Sequence, residues 1–562
     1  MALRFFLILL LFVGSYAQAA SPEAVHGTHG MVVSRSRLAS EAGIEIMKKG
    51  GNAIDAAVAT GFALAVTYPS AGNLAGGGFA VVYLKGGRVV TLDHREKAPA
   101  AASRNMYLDK NGNVIKGMSR QTRAASGVPG TVDGLLTLLE KYGTMTRQQV
   151  LAPAIRLAIN GFPLDEDLVR EFNRVVPTMQ NYPGSMKKFT KDGKPYQVGD
   201  IWKQPLLART LMTISSKGRD GFYKGNVAQL IVDEMKRGNG LITLKDLADY
   251  KSVWRKPIKS TYRGYTVYGM PPPSSGGVLI AMMLNMLEPF DLHKRGWGSS
   301  AAIHLMVEAE RRAYADRATH LGDMDFYPVP IKKLISKDYA RARFRTFSWD
   351  HASRSKDIKA GRWPKEDMET THFSVMDGEG NAVALTTTLN SGFGNRIVVQ
   401  DGGFLLNNEM DDFSSKENTA NQYGLLGHKA NAIAPGKRML SSMSPTIVTK
   451  DDKPFLVTGS PGGSTIITTV LQVIVNVIDF GMDIEDAVSL PRFHHQWEPD
   501  MIMYGQHAIS PDTLANLKKM GYTNMRMFRY GRGIGDANSI LLKDGVMNGM
   551  KDPRNAGAAV GY

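Results

Sequence analysis

The 562-residue chain contains no cysteine. That absence excludes thiol nucleophiles, zinc–thiolate sites, iron–sulfur clusters and any disulfide framework. Nor is there an apolar run long enough to cross a bilayer. The N-terminal apolar stretch, residues 5–13, is nine residues long, against the roughly 20 that a membrane helix needs. The stretch 466–480 is interrupted by Asn476 and Asp479 and reads as a buried helix. Other signatures are missing too. Gly76-Gly77-Gly78 precedes a strand pattern and lacks the Gly-Lys-Ser/Thr of a phosphate loop, so it reads as a tight turn. No G-x-S-x-G elbow supports a conventional serine hydrolase. His494-His495 has no HExxH frame or carboxylate partner at helical spacing, so no metal site is expected. No internal repeat or low-complexity tract stands out.

What is present is the composition of a globular protein, with 43% hydrophobic and 21% charged residues and 58 glycines. Its length predicts two to four domains, or one large sandwich. The opening MALRFFLILLLFVGSYAQAA places Arg4 before the apolar run and Ala17-Gln18-Ala19 after it. This is the form of a secretory signal peptide cut after Ala19. Secretion without disulfides predicts a periplasmic location. The net charge of +16 is uneven: from Thr370 onward there are 16 Lys+Arg against 19 Asp+Glu, so the excess lies before that point. The basic residues are scattered, with ARARFR (340–345) the densest run, and no recognition motif accompanies them. A solvated or anion-attracting surface is expected rather than a nucleic-acid site.

Patterning organises the chain. Residues 40–69 read as two helices split at Gly50-Gly51, the second nearly all apolar and therefore buried. GGGFAVVYLKGGRVVTLDHRE reads as a hairpin with a Gly-Gly turn. A polar, mostly helical region follows from about 146 to 256. TYRGYTVYGMPPPSSGG returns to strand and ends in a proline loop, more helices follow, and about 348–369 is a charged exposed loop or linker. SPTIVTKDDKPFLVTGS is a further hairpin. Helical patterns on both sides of strand pairs predict an α+β layered sandwich.

The segment EDMETTHFSVMDGEGNAVALTTTLN (366–390) is the informative one. A charged loop stops at Thr370-Thr371, and an alternating strand begins at once. A threonine hydroxyl is a poor nucleophile without a base. One base needs no second side chain: the threonine's own α-amino group, with an ordinary pKa of roughly 8, once the chain is cut before it. Threonine is also a common strand residue, which is the plainer explanation. Other motifs bear on the choice. GSPGGS (459–464) joins a strand to an apolar helix and could aim amides at an oxyanion. FLLNNEMDDF (404–413) gathers three carboxylates and two amides, and RMLSSMSPT carries Ser441-Ser442.

Together with GGNAIDAAVA, ASGVPGTVDG, KYGTM, YRGYTVYGMPPPSSGG and PRFHHQW, in that order along the mature chain, these segments closely resemble gamma-glutamyltranspeptidases, a family of N-terminal-nucleophile hydrolases. The resemblance implies a four-layer αββα sandwich and a precursor that cuts itself between Glu369 and Thr370. A large subunit of residues 20–369 and a small one of 370–562 would result. Thr370 would be the nucleophile, Thr388 its hydrogen-bonding neighbour, and Gly462 and Gly463 the oxyanion amides. Arg95, Ser441 and Ser442 would hold the substrate α-carboxylate. Asn390, Glu409 and Asp412 would receive its α-ammonium, and Tyr423 would gate a lid. Implied partners are glutathione and other γ-glutamyl compounds as donors, and water, amino acids or peptides as acceptors. No cofactor or metal is implied. The chain departs from common bacterial family residues at His94, Thr387, Met439 and Thr465, none expected to touch a residue given a role. The competing expectations are a cephalosporin or glutaryl acylase of the same superfamily, or a non-catalytic periplasmic binding protein.

Overall fold

The computed structural model describes residues 22–358, 370–416, 429–528 and 533–562. The expected signal peptide, Glu369 and Tyr423 lie outside them. Two antiparallel seven-stranded sheets make the centre. The first runs Ala558–Gly561, Gly30–Ser34, Thr371–Asp377, Ala382–Thr388, Gly77–Leu84, Arg88–His94, Val253–Arg255. The second runs Val25–Gly27, Val546–Met550, Ser539–Lys543, Lys453–Thr458, Thr446–Lys450, Tyr265–Gly269, Ile258–Tyr262.

Side-chain alternation along the strands builds the layers. In the first sheet Met31, Val33, Val81, Met376 and Ala384 meet Ile447, Val457 and Ile540 of the second in one apolar cluster between the sheets. Their chain neighbours Val32, Val82, Val375 and Val383 pack the other way, against the helices Arg37–Lys48, Ala53–Thr67, Thr131–Tyr142 and Arg147–Asn160. Val448, Leu456 and Leu541 face the opposite helix layer, Gly276–Leu287, Ser300–His320 and Thr465–Ile478. The order is helix, sheet, sheet, helix: the αββα sandwich.

The helices and hairpins read from the sequence are found where the patterning put them, while residues 359–369 of the expected loop at about 348–369 lie outside the described residues. Helix Ala53–Thr67 is buried at every position, with Asn52 and Asp55 closing a capping box at its start. Both expected hairpins form, with turns at 85–87 and 451–452. Strands from before and after residue 370 interleave in both sheets. Gly30–Ser34 pairs with Thr371–Asp377, Gly77–Leu84 with Ala382–Thr388, and Tyr265–Gly269 with Thr446–Lys450. Among the described residues no helix is long and apolar enough to cross a membrane.

Candidate active site

A small cavity opens at the edge where the two sheets and the acidic turn meet. It is lined by Thr370, Thr388, Asn390, Arg95, Glu409, Asp412, Ser441, Ser442 and Gly463 among others. Residues scattered over more than 360 positions of sequence thus come to one place.

Thr370 directly precedes the strand Thr371–Asp377. Strand parity separates the two threonines. Thr371 shares the helix-facing side with Phe373 and Val375, whereas Thr370 shares the inter-sheet side with Met376 and reaches the cavity. The pairing of Thr371 with Thr387 sets Thr370 opposite Thr388, with 3.5 Å between their Oγ1 atoms. Thr388 Oγ1 in turn accepts the Asn390 backbone N–H at 2.7 Å. Asn390 holds φ at 77°, a left-handed conformation that asparagine tolerates, and its Nδ2 donates to the Asn408 carbonyl at 2.9 Å.

His372, two residues from Thr370, is no base for it. Its ring is enclosed by Thr386 Oγ1 (2.9 Å) and Ser374 Oγ (3.1 Å), and burial drives its pKa down to about 3. The pair His494-His495 is likewise structural. The rings bond Thr468 and Gln496 in one case, and the Trp497 N–H and Asp500 in the other.

The turn before helix Thr465–Ile478 is set by two glycines, with φ of 131° at Gly462 and 53° at Gly463. Side chains avoid both conformations. A Cβ on Gly462 would sit 2.5 Å from Thr465 Oγ1, which donates to the Gly462 carbonyl at 2.8 Å.

The NNEMDD segment sorts its own side chains. Asn407 is an anchor: its Oδ1 accepts from Gly127 N (2.8 Å) and Glu409 N (2.9 Å), and its Nδ2 donates to the Ala75 and Gly127 carbonyls. Of the three carboxylates, Asp411 turns away to Ser119. Glu409 and Asp412 turn to Arg95, one on each terminal nitrogen of its guanidinium. Arg95 Nε donates to the Met439 carbonyl at 3.4 Å.

Two further residues belong here that sequence reasoning left without a role. Glu96 brings a third carboxylate, 3.7 Å from Arg95 Nη1, and neither of its oxygens has a hydrogen-bond partner among the described residues. Burial pushes its pKa up to about 7. Burial, with Glu96 and Asp412 nearby, also raises Glu409 well above the carboxylate range despite Arg95. Asp412 is raised by burial too, against the pull of Arg95. The second residue is Arg317, from helix Ser300–His320, which lines the cavity beside the serine pair. The ERRAYADRATH charges around it suggest a solvated face, yet Arg317 is buried.

The four departures from common family residues are closer to the site than expected. The Met439 carbonyl holds Arg95, and Thr465 holds Gly462. Thr387 Oγ1 accepts from Asn73 and donates to the Gly77 carbonyl on the strand that flanks Thr388. His94 precedes Arg95 with both ring nitrogens buried and without hydrogen-bond partners among the described residues. Burial drives its pKa down to about 4, so it packs as a neutral ring.

Known proteins resemble this chain in sequence and in fold. Residues 39–562 match the gamma-glutamyltranspeptidase family model. The glutathione hydrolase proenzyme of Escherichia coli (strain K12) is 49% identical over 537 residues, 94% of this chain and 91% of the relative. A crystal structure of cephalosporin acylase from Bacillus halodurans superposes with a TM-score of 0.85 at 27% identity, over 99% of each chain. The crystal structure of Helicobacter pylori gamma-glutamyltranspeptidase gives 46% identity and a TM-score of 0.58, over 61% of this chain and 96% of that one. The chain belongs to the gamma-glutamyltranspeptidase family.

Proposed function

We infer that the chain is a proenzyme that cuts itself between Glu369 and Thr370, and that the product transfers γ-glutamyl groups from glutathione and related compounds to water or to amino acid and peptide amines. The cut would leave residues 20–369 and 370–562 sharing both sheets, so one unit would persist after cleavage. Export to the periplasm after removal of residues 1–19 completes this reading.

In the cut, Thr370 Oγ1 adds to the Glu369 carbonyl, the amide becomes an ester, and water splits the ester. Thr370 then carries a free α-amine. That amine takes the hydroxyl proton as Thr370 Oγ1 attacks the γ-carbonyl of the substrate. Thr388 Oγ1, 3.5 Å away, holds the nucleophile in place. The amides of Gly462 and Gly463 stabilise the tetrahedral oxyanion, a contribution of roughly a hundredfold or more in kcat for such donors. The protonated amine gives its proton to the leaving nitrogen, and a γ-glutamyl ester of Thr370 remains. Water or an acceptor amine attacks that ester by the same route in reverse. Every step uses groups of the chain, the substrate, and water or the acceptor amine.

The observation that carries the substrate assignment is the charge around Arg95. Arg95 faces three buried carboxylates, Glu96, Glu409 and Asp412, and among the described residues the only other cation lining the cavity is Arg317, which acts on Asp412. Such a cluster gains from an arriving ammonium. A γ-glutamyl group supplies one on its α-carbon, together with a carboxylate for Arg95, Ser441 and Ser442. A glutaryl group supplies the carboxylate alone, which separates this activity from that of an acylase. Wild-type protein should therefore cleave a γ-glutamyl anilide at least about tenfold better, by kcat/KM, than the glutaryl anilide, the worth of one charge-assisted hydrogen bond. Equal rates on the two would overturn the glutamyl assignment and favour the acylase.

A further inference from the structure

Arg95 is already occupied. Its terminal nitrogens carry Glu409 and Asp412, and its Nε carries the Met439 carbonyl. A substrate carboxylate that relied on Arg95 alone would compete with two protein carboxylates for the same donors.

The serine pair is organised by a different cation. Arg317 Nη2 donates to Ser442 Oγ at 3.1 Å, and Arg317 Nε donates to Ser275 Oγ at 2.9 Å. Ser275 ties the other serine down: its N–H and its hydroxyl both donate to the Ser441 carbonyl, at 2.8 and 2.7 Å. The Ser441 N–H in turn donates to the Pro273 carbonyl at 2.8 Å. One guanidinium thus braces both serines, directly and through the PPPSSGG loop, a motif that the catalytic assignments leave unused.

Hydroxyl bookkeeping gives the brace a purpose. A guanidinium can only donate, so Ser442 Oγ accepts from it and keeps its own proton for another acceptor. Ser441 Oγ accepts the Met443 N–H at 3.1 Å and keeps its proton likewise. Neither hydroxyl has an acceptor among the described residues, and both line the cavity with Arg317.

We propose that Arg317 is a second carboxylate-recognition residue: with the two serine hydroxyls it forms the seat for the substrate α-carboxylate, and it fixes the Ser442 hydroxyl as a donor. The division of charge is then complete. Glu409 and Asp412 exchange part of their hold on Arg95 for the substrate ammonium, while the carboxylate settles between Arg95 and Arg317. This inference rests on the γ-glutamyl reading.

The test uses Arg317→Gln and Arg317→Lys in the full chain, after wild type has been shown to cleave γ-glutamyl-p-nitroanilide. A wild type inactive on that anilide overturns the γ-glutamyl function and, with it, the role of Arg317; an active wild type leaves the variants to decide that role alone. Three quantities are compared: the extent of precursor cleavage, kcat and KM. Cleavage of the precursor needs Thr370 but no free glutamyl carboxylate, so it reports a correctly built centre. Arg317→Gln should cut itself to completion, raise KM about ten- to hundredfold and change kcat less than about threefold. Arg317→Lys should recover part of the KM, because the charge returns without the planar fork. An unchanged KM in Arg317→Gln overturns the proposal. So does a parallel fall in precursor cleavage, kcat and 1/KM, which is the mark of a merely structural arginine.

Discussion

Two buried ion networks of this protein use the same residue types and come to opposite states. In the first, Glu308 lies between Arg311 and Arg312, with Asp500 on the far side of Arg311. Cations and anions match in number. Glu308 Oε1 accepts from Arg311 Nε (3.3 Å) and Ser353 N (3.1 Å), and Oε2 accepts from Arg312. Burial alone would raise its pKa, but Arg311 and Arg312 prevail and hold it at about 2. In the second, Arg95 faces Glu96, Glu409 and Asp412. Both Glu96 oxygens and Glu409 Oε2 lack hydrogen-bond partners among the described residues, and all three pKa values are raised. The first network holds the fold. The second, even with Arg317 acting on Asp412, sets three carboxylates against two cations at a cavity beside Thr370, the condition that the proposed substrate ammonium would relieve.

The comparison can be broken from either side. The largest effect is expected from Glu308→Gln, which strands two buried arginines. Breaking such a pair costs about 3–5 kcal/mol, so Tm should fall steeply. Asp412→Asn should do the reverse. It should lower kcat/KM on the γ-glutamyl anilide about ten- to hundredfold and leave Tm unchanged or higher, because a charge is removed from an over-acidic cluster. If Asp412→Asn lowers Tm as much as Glu308→Gln does, the two networks are not different in kind.

A smaller effect distinguishes them by pH. Glu308 has a depressed pKa, so its contribution to stability is present above its ordinary value of 4.5 and is lost as pH falls toward about 2. Glu96 has a raised pKa, so its contribution is present below 4.5 and is lost as pH rises toward about 7. Between pH 4.5 and 7, Glu96→Gln should therefore flatten the decline of Tm with rising pH, while Glu308→Gln should leave the slope of that window as in wild type. Thermal scans across the window decide it, and an unchanged slope in Glu96→Gln contradicts the assignment.

The smallest effect concerns His94, whose unpartnered ring resembles the second network but carries no charge to a ligand. Its depressed pKa means that stability is present above 6.5 and is lost as pH falls toward about 4. His94→Phe should raise stability by about 1–3 kcal/mol, the cost of unsatisfied buried polar groups. It should also remove that acid sensitivity and preserve kcat/KM. A loss of activity without a change in stability would place His94 in the site after all.

These networks also mark the limit of what the sequence discloses. Strands and helices are legible because their signal is local: alternation bounded by Gly-Gly or Asp-Asp turns, and apolar runs such as Ala53–Thr67. The segments that line the cavity are legible because each is a distinctive short motif, and the residues within them are singled out by the family resemblance. Arg317 is not, since the charges around it imply a wet helix face, whereas the fold buries it against Ser275 and Ser442. Nor can the sequence separate Asp411 from Asp412. Adjacent residues of one acidic turn differ only in where the turn points them, and that is set by Ser119 and by Arg95, hundreds of residues away. Nor does the sequence alone tell which of Thr370 and Thr371 faces the cavity, because strand parity decides that only once the two faces of the sheet are known.

The central claim is that the chain is cut before Thr370 by Thr370 itself. Its most direct test is the intact mass of purified wild type and of Thr370→Ala under denaturing conditions, with N-terminal sequencing of any fragment. The account predicts two chains for wild type, the smaller beginning Thr-Thr-His-Phe-Ser, and one uncut, inactive chain for the variant. A wild type that stays whole yet active, or a Thr370→Ala chain still cut at that bond, would contradict it.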